Sequence, residues 1–113
     1  MTDKVVILVT AANQDESRRI ARHLIETQLA ACVNILPSVE SVYRWQGQIA
    51  EEGEILLIIK SDRALFAEIE TEILKLHSYR TPEIICLPIV EGSRAYMQWL
   101  SESVKPIGLQ GND

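Results

Sequence analysis

The tract "CVNILPSVESVYRW" (residues 32–45) decides the fold together with "QGQ" (residues 46–48) and "IAEEGEILLIIK" (residues 49–60). Two strand-like runs flank a short glycine turn, which predicts a β-hairpin with arms longer than the usual five or six residues. Pro37 cannot donate a hydrogen bond to a sheet ladder, so we expect a bulge, a bend or a sheet edge there. The run "EILLIIK" is typical of a strand that is buried on both faces.

The segment before the hairpin contains one strand and one helix. Residues 4–10 form a continuous apolar, β-branched run without polar alternation, which predicts a buried strand. Asn13, with Glu16 three residues later, resembles a capping box at the start of a helix. This helix is predicted to end near Leu29, with His23 on its polar side. Its apolar face contains Ile20, Ala21, Leu24, Ile25 and Gln28.

A second helix, a further strand and a short third helix follow the hairpin. Ser61 or Asp62 can cap the second helix, and Pro82 ends it before a strand predicted over residues 83–90. Its buried stripe contains Leu65, Phe66, Ile69, Ile73 and Leu76. The third helix begins at Gly92-Ser93 and has Tyr96, Trp99, Leu100 and Ser103 on one face.

The predicted order is β-α-β-β-α-β plus a C-terminal helix. This order is typical of an α+β, ferredoxin-like fold, in which an antiparallel sheet carries both main helices on one face. The chain of 113 residues is long enough for one domain, so we expect residues 1–113 to form a single domain. The tail from about Lys105 is expected to be partly disordered.

Composition excludes several function classes. The net charge is −5 and the eleven basic residues are scattered, which argues against a nucleic-acid partner. No run approaches the ~18 apolar residues of a membrane helix. The first nine residues are too short and too lightly charged for a signal peptide, so we expect a cytoplasmic protein. In that compartment Cys32 and Cys86 are predicted to be free thiols.

The segment "HSYRTPEI" (residues 77–84) has the greatest density of reactive side chains. It is interpreted as a structural joint between helix and strand, as part of a pocket, or as a metal site; a metal site needs further ligands. The sequence contains no phosphate-binding loop, CxxC, HExxH or GxSxG motif and no clear nucleophile–base arrangement, so we expect no enzymatic activity. Cys86 is predicted to be a core residue, whereas Cys32 is either a core residue or a metal ligand.

Several stretches resemble the CutA divalent-cation tolerance protein family. They are "VVILVTAANQDESRRIA", "LAACVNILPSVESVYRWQG", "LLIIKS" and "HSYRTPEIICLPIVEGSRAYMQWL", which together cover about residues 5–100 in order. The specific pieces are Ala31-Cys32-Val33-Asn34, Tyr43-x-Trp45-x-Gly47 and His77-x-Tyr79-x-x-Pro82-Glu83.

The resemblance implies a tight homotrimer, similar in architecture to the PII signalling proteins, with a connection to copper and divalent-metal tolerance. It implies no required cofactor, and copper or another divalent metal as the bound ion. Only Cys32 matches a family cysteine position, because Thr10 and Ile73 stand where other members carry further cysteines. Cys32 and His77 are the candidate metal ligands. The candidate interface or pocket residues are Tyr43, Trp45, Tyr79 and Glu83.

Two function hypotheses follow. The first is a non-enzymatic homotrimer that binds metal ions, copper above all, and contributes to metal homeostasis. The alternative is a PII-like trimeric small-molecule sensor or scaffold with an indirect link to metals. The long hairpin supports a trimer under either hypothesis, because exposed strand edges pair with other chains and a closed ring satisfies each edge. We expect Trp45 at the subunit interface.

Overall fold

The fold is an α+β arrangement of one four-stranded antiparallel sheet and three helices, as predicted. The computed structural model describes residues 2–107, and the strand order is β2-β3-β1-β4. In chain order the elements are β1 (Lys4–Ala11), α1 (Gln14–Glu26), β2 (Cys32–Trp45), β3 (Gln48–Asp62), a 3₁₀ turn (Arg63–Leu65), α2 (Phe66–Leu76), β4 (Ile84–Pro88) and α3 (Arg94–Ser103). Within the described part of the chain, no helix is long and apolar enough to cross a membrane.

The β2–β3 hairpin has arms of 14 and 15 residues, which confirms the predicted length. Gln46 and Gly47 form its turn with φ values of 51° and 82°. Positive φ at both central residues is the backbone of the two-residue turn that matches the twist of paired strands. The pairing register shifts between Leu36 and Val39, so the bulge predicted at Pro37 is present.

The two faces of the sheet differ in what covers them. Odd-numbered β1 side chains, such as Ile7, pack with α1 and α2 into the main core. The opposite side, here called the second face, carries apolar residues that are only half-buried or exposed, although Tyr96 of α3 lies beside Cys32 there. These apolar residues are Val6, Leu8, Leu36, Leu56, Ile58, Ile85 and Leu87.

Helix α1 begins as predicted but ends earlier. The Asn13 side chain accepts a hydrogen bond from the Glu16 backbone N–H at 2.9 Å, which confirms the cap. The helix ends at Glu26, not near Leu29, because Gln28 adopts a left-handed φ of 59°. The Leu29 and Ala30 N–H groups both bond the Leu24 carbonyl at 2.9 and 3.1 Å. Ile25, which was placed on the apolar face of this helix, is 41% exposed.

Replacing Gln28 with glycine is expected to raise the free energy of unfolding by about 1 kcal/mol, because a side chain disfavours the left-handed region by roughly that amount. The Gln28 carbonyl accepts the Lys105 N–H at 2.8 Å, and glycine preserves this bond. Urea unfolding measures the change. Arg18→Gly, in the exposed middle of α1, should instead lower stability by about 1 kcal/mol. Equal losses in both variants would contradict the conformational explanation.

Three other predictions need correction. His23 is half-buried rather than on the open surface, and its Nε2 lies 2.7 Å from Glu72 Oε1. β4 covers Ile84–Pro88 instead of residues 83–90. Lys105, where a disordered tail was expected to begin, is held by Glu68 at 2.7 Å; residues 108–113 of that tail lie outside the described residues.

Candidate functional site

His77 lies where α2 ends, with its side chain fully buried. Its Nε2 lies 2.7 Å from the Thr10 carbonyl oxygen, and its Nδ1 lies 3.0 Å from the Tyr79 backbone nitrogen. Since a carbonyl only accepts and a backbone N–H only donates, Nε2 carries the proton and Nδ1 accepts. Both ring nitrogens are therefore occupied, and a metal ion at either would displace a backbone contact.

Glu16 of α1 reaches the same joint from the other side of the fold. Its side chain is 3% exposed; Oε1 accepts the Ser78 N–H at 3.1 Å and Oε2 the Ala12 N–H at 3.4 Å. Oε2 also lies 3.5 Å from His77 Nδ1. Burial alone raises the pKa of Glu16, but the hydrogen bonds from Ser78 and Ala12 act against it, and the pKa lies below its usual value. The carboxylate ties α1 to the loop after α2.

Tyr79 connects this joint to the hairpin. Its ring lies 4.7 Å from the His77 ring, and its hydroxyl donates to Glu54 Oε2 at 3.0 Å. The pKa of Tyr79 is raised, chiefly by burial and secondly by the hydrogen bond to Glu54. Glu54 is 8% exposed and lines a cleft of about 220 Å³ with Pro37, Ser38, Val39, Gly53 and Ile55. The Pro37 bulge thus places a small cleft beside a buried carboxylate.

The other predicted pocket residues are only partly brought together. Tyr43 donates to Glu52 Oε1 at 2.5 Å, a bond that raises the pKa of the exposed Tyr43 hydroxyl. Glu52, which bonds Tyr43, and Glu54, which bonds Tyr79, lie two residues apart on β3, so the two tyrosines bond neighbouring carboxylates of one strand. Trp45 is 56% exposed at the hairpin end, and Glu83 is exposed before β4.

Cys32 is half-buried at the start of β2, opposite Lys60 near the end of β3. Its Sγ lies 3.9 Å from Lys60 Nζ and 3.9 Å from Asn34 Oδ1. Lys60 also contacts Asn34. Tyr96 lies near the thiol, and its pKa is raised, chiefly by burial and secondly by Cys32.

Cys32 and His77 do not form one metal site within a chain, contrary to the predicted pairing. Cys32 is opposite Lys60, whereas Thr10, which holds His77, is opposite Leu56. Four residues of strand separate these positions by about 13 Å. Among residues 2–107 there is no group of three or more His, Cys, Asp and Glu side chains arranged to hold a metal ion.

The sequence did not reveal the roles of Glu16 and Glu54. The capping-box spacing marked Glu16 as a local helix residue, but its partner Ser78 is 62 positions away. Glu54 was part of a charged run with Glu51 and Glu52. A weak signal was its place beside the apolar run "EILLIIK", where a charge needs a partner.

One protein family matches nearly all of the described part of the chain. The family model described as "CutA1 divalent ion tolerance protein" matches residues 5–103. The chain belongs to the CutA family.

Curated CutA relatives cover most of the chain. "Divalent-cation tolerance protein CutA" of Thermus thermophilus is 45% identical over 98 residues, which are 87% of this chain and 95% of that protein. "Protein CutA, chloroplastic" of Arabidopsis thaliana is 40% identical over 89% of this chain, which spans 56% of the longer plant protein.

Solved CutA structures share the fold over nearly their whole length. The divalent cation tolerance protein (Cut A1) from Thermus thermophilus has a TM-score of 0.88 at 43% identity, covering 90% of this chain and 99% of that chain. The periplasmic divalent cation tolerance protein CutA from Archaeoglobus fulgidus has a TM-score of 0.87 at 38% identity, with coverage of 90% and 99%. The shared fold agrees with the family assignment.

Proposed function

We propose that this CutA chain works as a non-enzymatic, cytoplasmic homotrimer in divalent-metal tolerance. The main support for a trimer is the second face of the sheet. In a single chain, apolar side chains from all four strands are exposed to solvent there. Ile85 and Leu87 are 46% and 44% exposed, and Leu36 is 38% exposed. Contiguous apolar surface of this kind marks an interaction site.

The strand edges support self-association through the same surface. Within the described residues, β2 and β4 are the two outer strands of the sheet, so each leaves one row of backbone groups without a partner strand. The hairpin end adds Val42 and Ile49, which are 64% and 69% exposed. A closed ring of three copies covers the second face and pairs these edges together. Sedimentation equilibrium at micromolar concentration tests the proposal; a stable monomer contradicts it.

Direct metal binding in this trimer depends on Cys32. A soft sulfur ligand favours Cu(I), and the half-buried Cys32 supplies such a ligand in each subunit. One thiol is too few for a stable site, so the remaining ligands come from neighbouring subunits. His77 is not among the proposed ligands, because both its ring nitrogens hold backbone groups.

Cys32→Ala is expected to abolish stoichiometric Cu(I) binding while trimer mass and circular dichroism stay unchanged, because the variant removes the only soft ligand of this site. Titration under anaerobic conditions with native mass spectrometry measures the copper bound per trimer. Cys86→Ala is the matched control, since Cys86 is also a half-buried free thiol and should leave copper binding unchanged. Retention of copper by Cys32→Ala with unchanged affinity would contradict the ligand role.

The second candidate is a PII-like sensor or scaffold with an indirect link to metals. The cleft beside Glu54 favours it, because the cleft adjoins the hairpin bulge and the carboxylate that bonds Tyr79, close to where a neighbouring subunit is proposed to pack. Native mass spectrometry of the protein as purified separates the candidates. A retained metabolite without copper supports the sensor, and stoichiometric copper supports direct metal binding.

A further inference from the structure

A cleft of about 550 Å³ lies at the end of the sheet remote from His77, where β1 begins and β3 ends. Its volume is within the range of small-molecule sites, which is roughly 300 to 1,000 Å³. The start of β1 and the end of β3 supply one wall, and residues at and after the end of α3 supply the other. The side chains relevant to binding are Asp3, Asp62, Arg63, Ser101, Lys105 and Ile107.

Two of the four charged side chains in this cleft are neutralised within the protein. Asp62 accepts from Lys4 Nζ at 2.9 Å and from the Ala64 N–H at 2.9 Å, so both its oxygens are engaged. Lys105 Nζ contacts both Glu68 oxygens, at 2.7 and 2.9 Å. These pairs shape the walls and leave no net charge for a ligand.

Asp3 and Arg63 remain as an opposed pair of charges. The Arg63 N–H donates to the Asp3 carbonyl at 2.8 Å. The neighbouring residues Lys4 and Asp62 are paired across β1 and β3, so Asp3 and Arg63 lie opposite each other. Residues opposite each other in this way have Cβ atoms about 5 Å apart. Both residues are exposed, and within residues 2–107 no ion pair joins their side chains. A carboxylate and a guanidinium therefore flank the same opening.

We propose that this cleft binds a small zwitterion of the α-amino-acid class. Arg63 receives the ligand carboxylate, and Asp3 receives the ammonium group. Guanidinium–carboxylate and ammonium–carboxylate contacts are the stronger class of hydrogen bond. The exposed Ser101 hydroxyl offers a further polar contact, and Ile107 offers an apolar wall for a ligand side chain.

The charge arrangement selects against other ligand classes. Asp3 repels a polyanion such as a nucleotide, while Arg63 repels a free metal cation. A ligand with one charge of each sign matches both unpaired groups at once. This site is distinct from the Cys32 and Glu54 regions and goes beyond the proposed role in metal tolerance.

Titration of the ¹⁵N-labelled full chain with L-leucine up to about 10 mM tests the proposal. We expect saturable amide shifts at Ala64 and Ser101. Leucinamide lacks the carboxylate and N-acetyl-leucine lacks the ammonium group, so each should bind at least tenfold more weakly. Equal affinity for leucine and both blocked compounds, or no saturable shift with leucine, would overturn the proposal.

Two variants assign the contacts. Arg63→Gln and Asp3→Asn should each weaken leucine binding about tenfold or more, since each removes one charged contact. Arg80→Gln, which removes an exposed arginine outside the cleft, should bind as the wild type does. The amide spectrum verifies that each variant is folded. Unchanged affinity in Arg63→Gln would show that the guanidinium does not hold the ligand and would refute the assignment.

Discussion

Leu87→Asp is expected to yield a folded chain that sediments as a monomer of 12.7 kDa, whereas the wild type is expected to sediment at three times that mass, as the proposed trimer. Leu87 lies on the second face opposite Val6, and it is 44% exposed in a single chain. Water can still solvate an aspartate there in the monomer. In the trimer the same carboxylate would be buried against apolar side chains, at a cost of several kcal/mol per subunit.

Sedimentation equilibrium, with circular dichroism as a measure of folding, tests this result. The matched control is Leu74→Asp, because Leu74 is 48% exposed on α2, on the other side of the sheet. This control should remain trimeric. If both variants stay trimeric, the second face is not the interface. If both become monomeric, the effect comes from added charge and not from the position of Leu87.

The fold was predictable because its determinants are local. Asn13 caps α1 and Asp62 caps the 3₁₀ turn before α2, and each does so through a backbone N–H two or three residues away. The bulge at Pro37 follows from one missing N–H donor. The end of α1 was missed because Gln28 takes a left-handed conformation, which is normally signalled by glycine or asparagine.

The candidate site was less predictable because its contacts join distant parts of the chain. His77 hydrogen-bonds a carbonyl 67 residues away, and Tyr79 bonds a carboxylate 25 residues away. Residue type and spacing correctly marked His77 and Tyr79 as notable. They did not indicate that both ring nitrogens of His77 are hydrogen-bonded to backbone groups. They also did not indicate that Cys32 lies about 13 Å along β3 from it.

Glu16→Gln is expected to lower the free energy of unfolding at pH 7 by about 1–3 kcal/mol, the usual cost of leaving buried donors poorly satisfied. The carboxylate accepts from the Ala12 and Ser78 N–H groups, and a glutamine amide keeps only one acceptor oxygen. Its NH₂ group then faces one of these donors. Urea unfolding at one fixed protein concentration measures the loss, so that subunit dissociation contributes equally to both proteins.

The pH dependence of stability shows whether Glu16→Gln acts through the lost charge or through the poorer hydrogen bonding of the amide. The pKa of Glu16 in the folded chain lies below its usual value of 4.5, so the unfolded chain takes up the proton more readily. The stabilisation by Glu16 is therefore complete above pH 4.5 and is lost as the pH falls through the lower folded pKa. The wild type should lose stability over this acidic window, and Glu16→Gln should show a shallower slope there, so the two curves converge.

Glu70→Gln provides the comparison, because Glu70 is an exposed carboxylate on α2. It should change stability at pH 7 by less than about 0.5 kcal/mol and keep the wild-type slope in acid. A parallel acid slope in wild type and Glu16→Gln would mean that the Glu16 charge contributes nothing to the joint. In that case the Ser78 and Ala12 donors would be satisfied equally well by a neutral acceptor, and the loop carrying His77 and Tyr79 would be held by the Thr10 and Glu54 contacts alone.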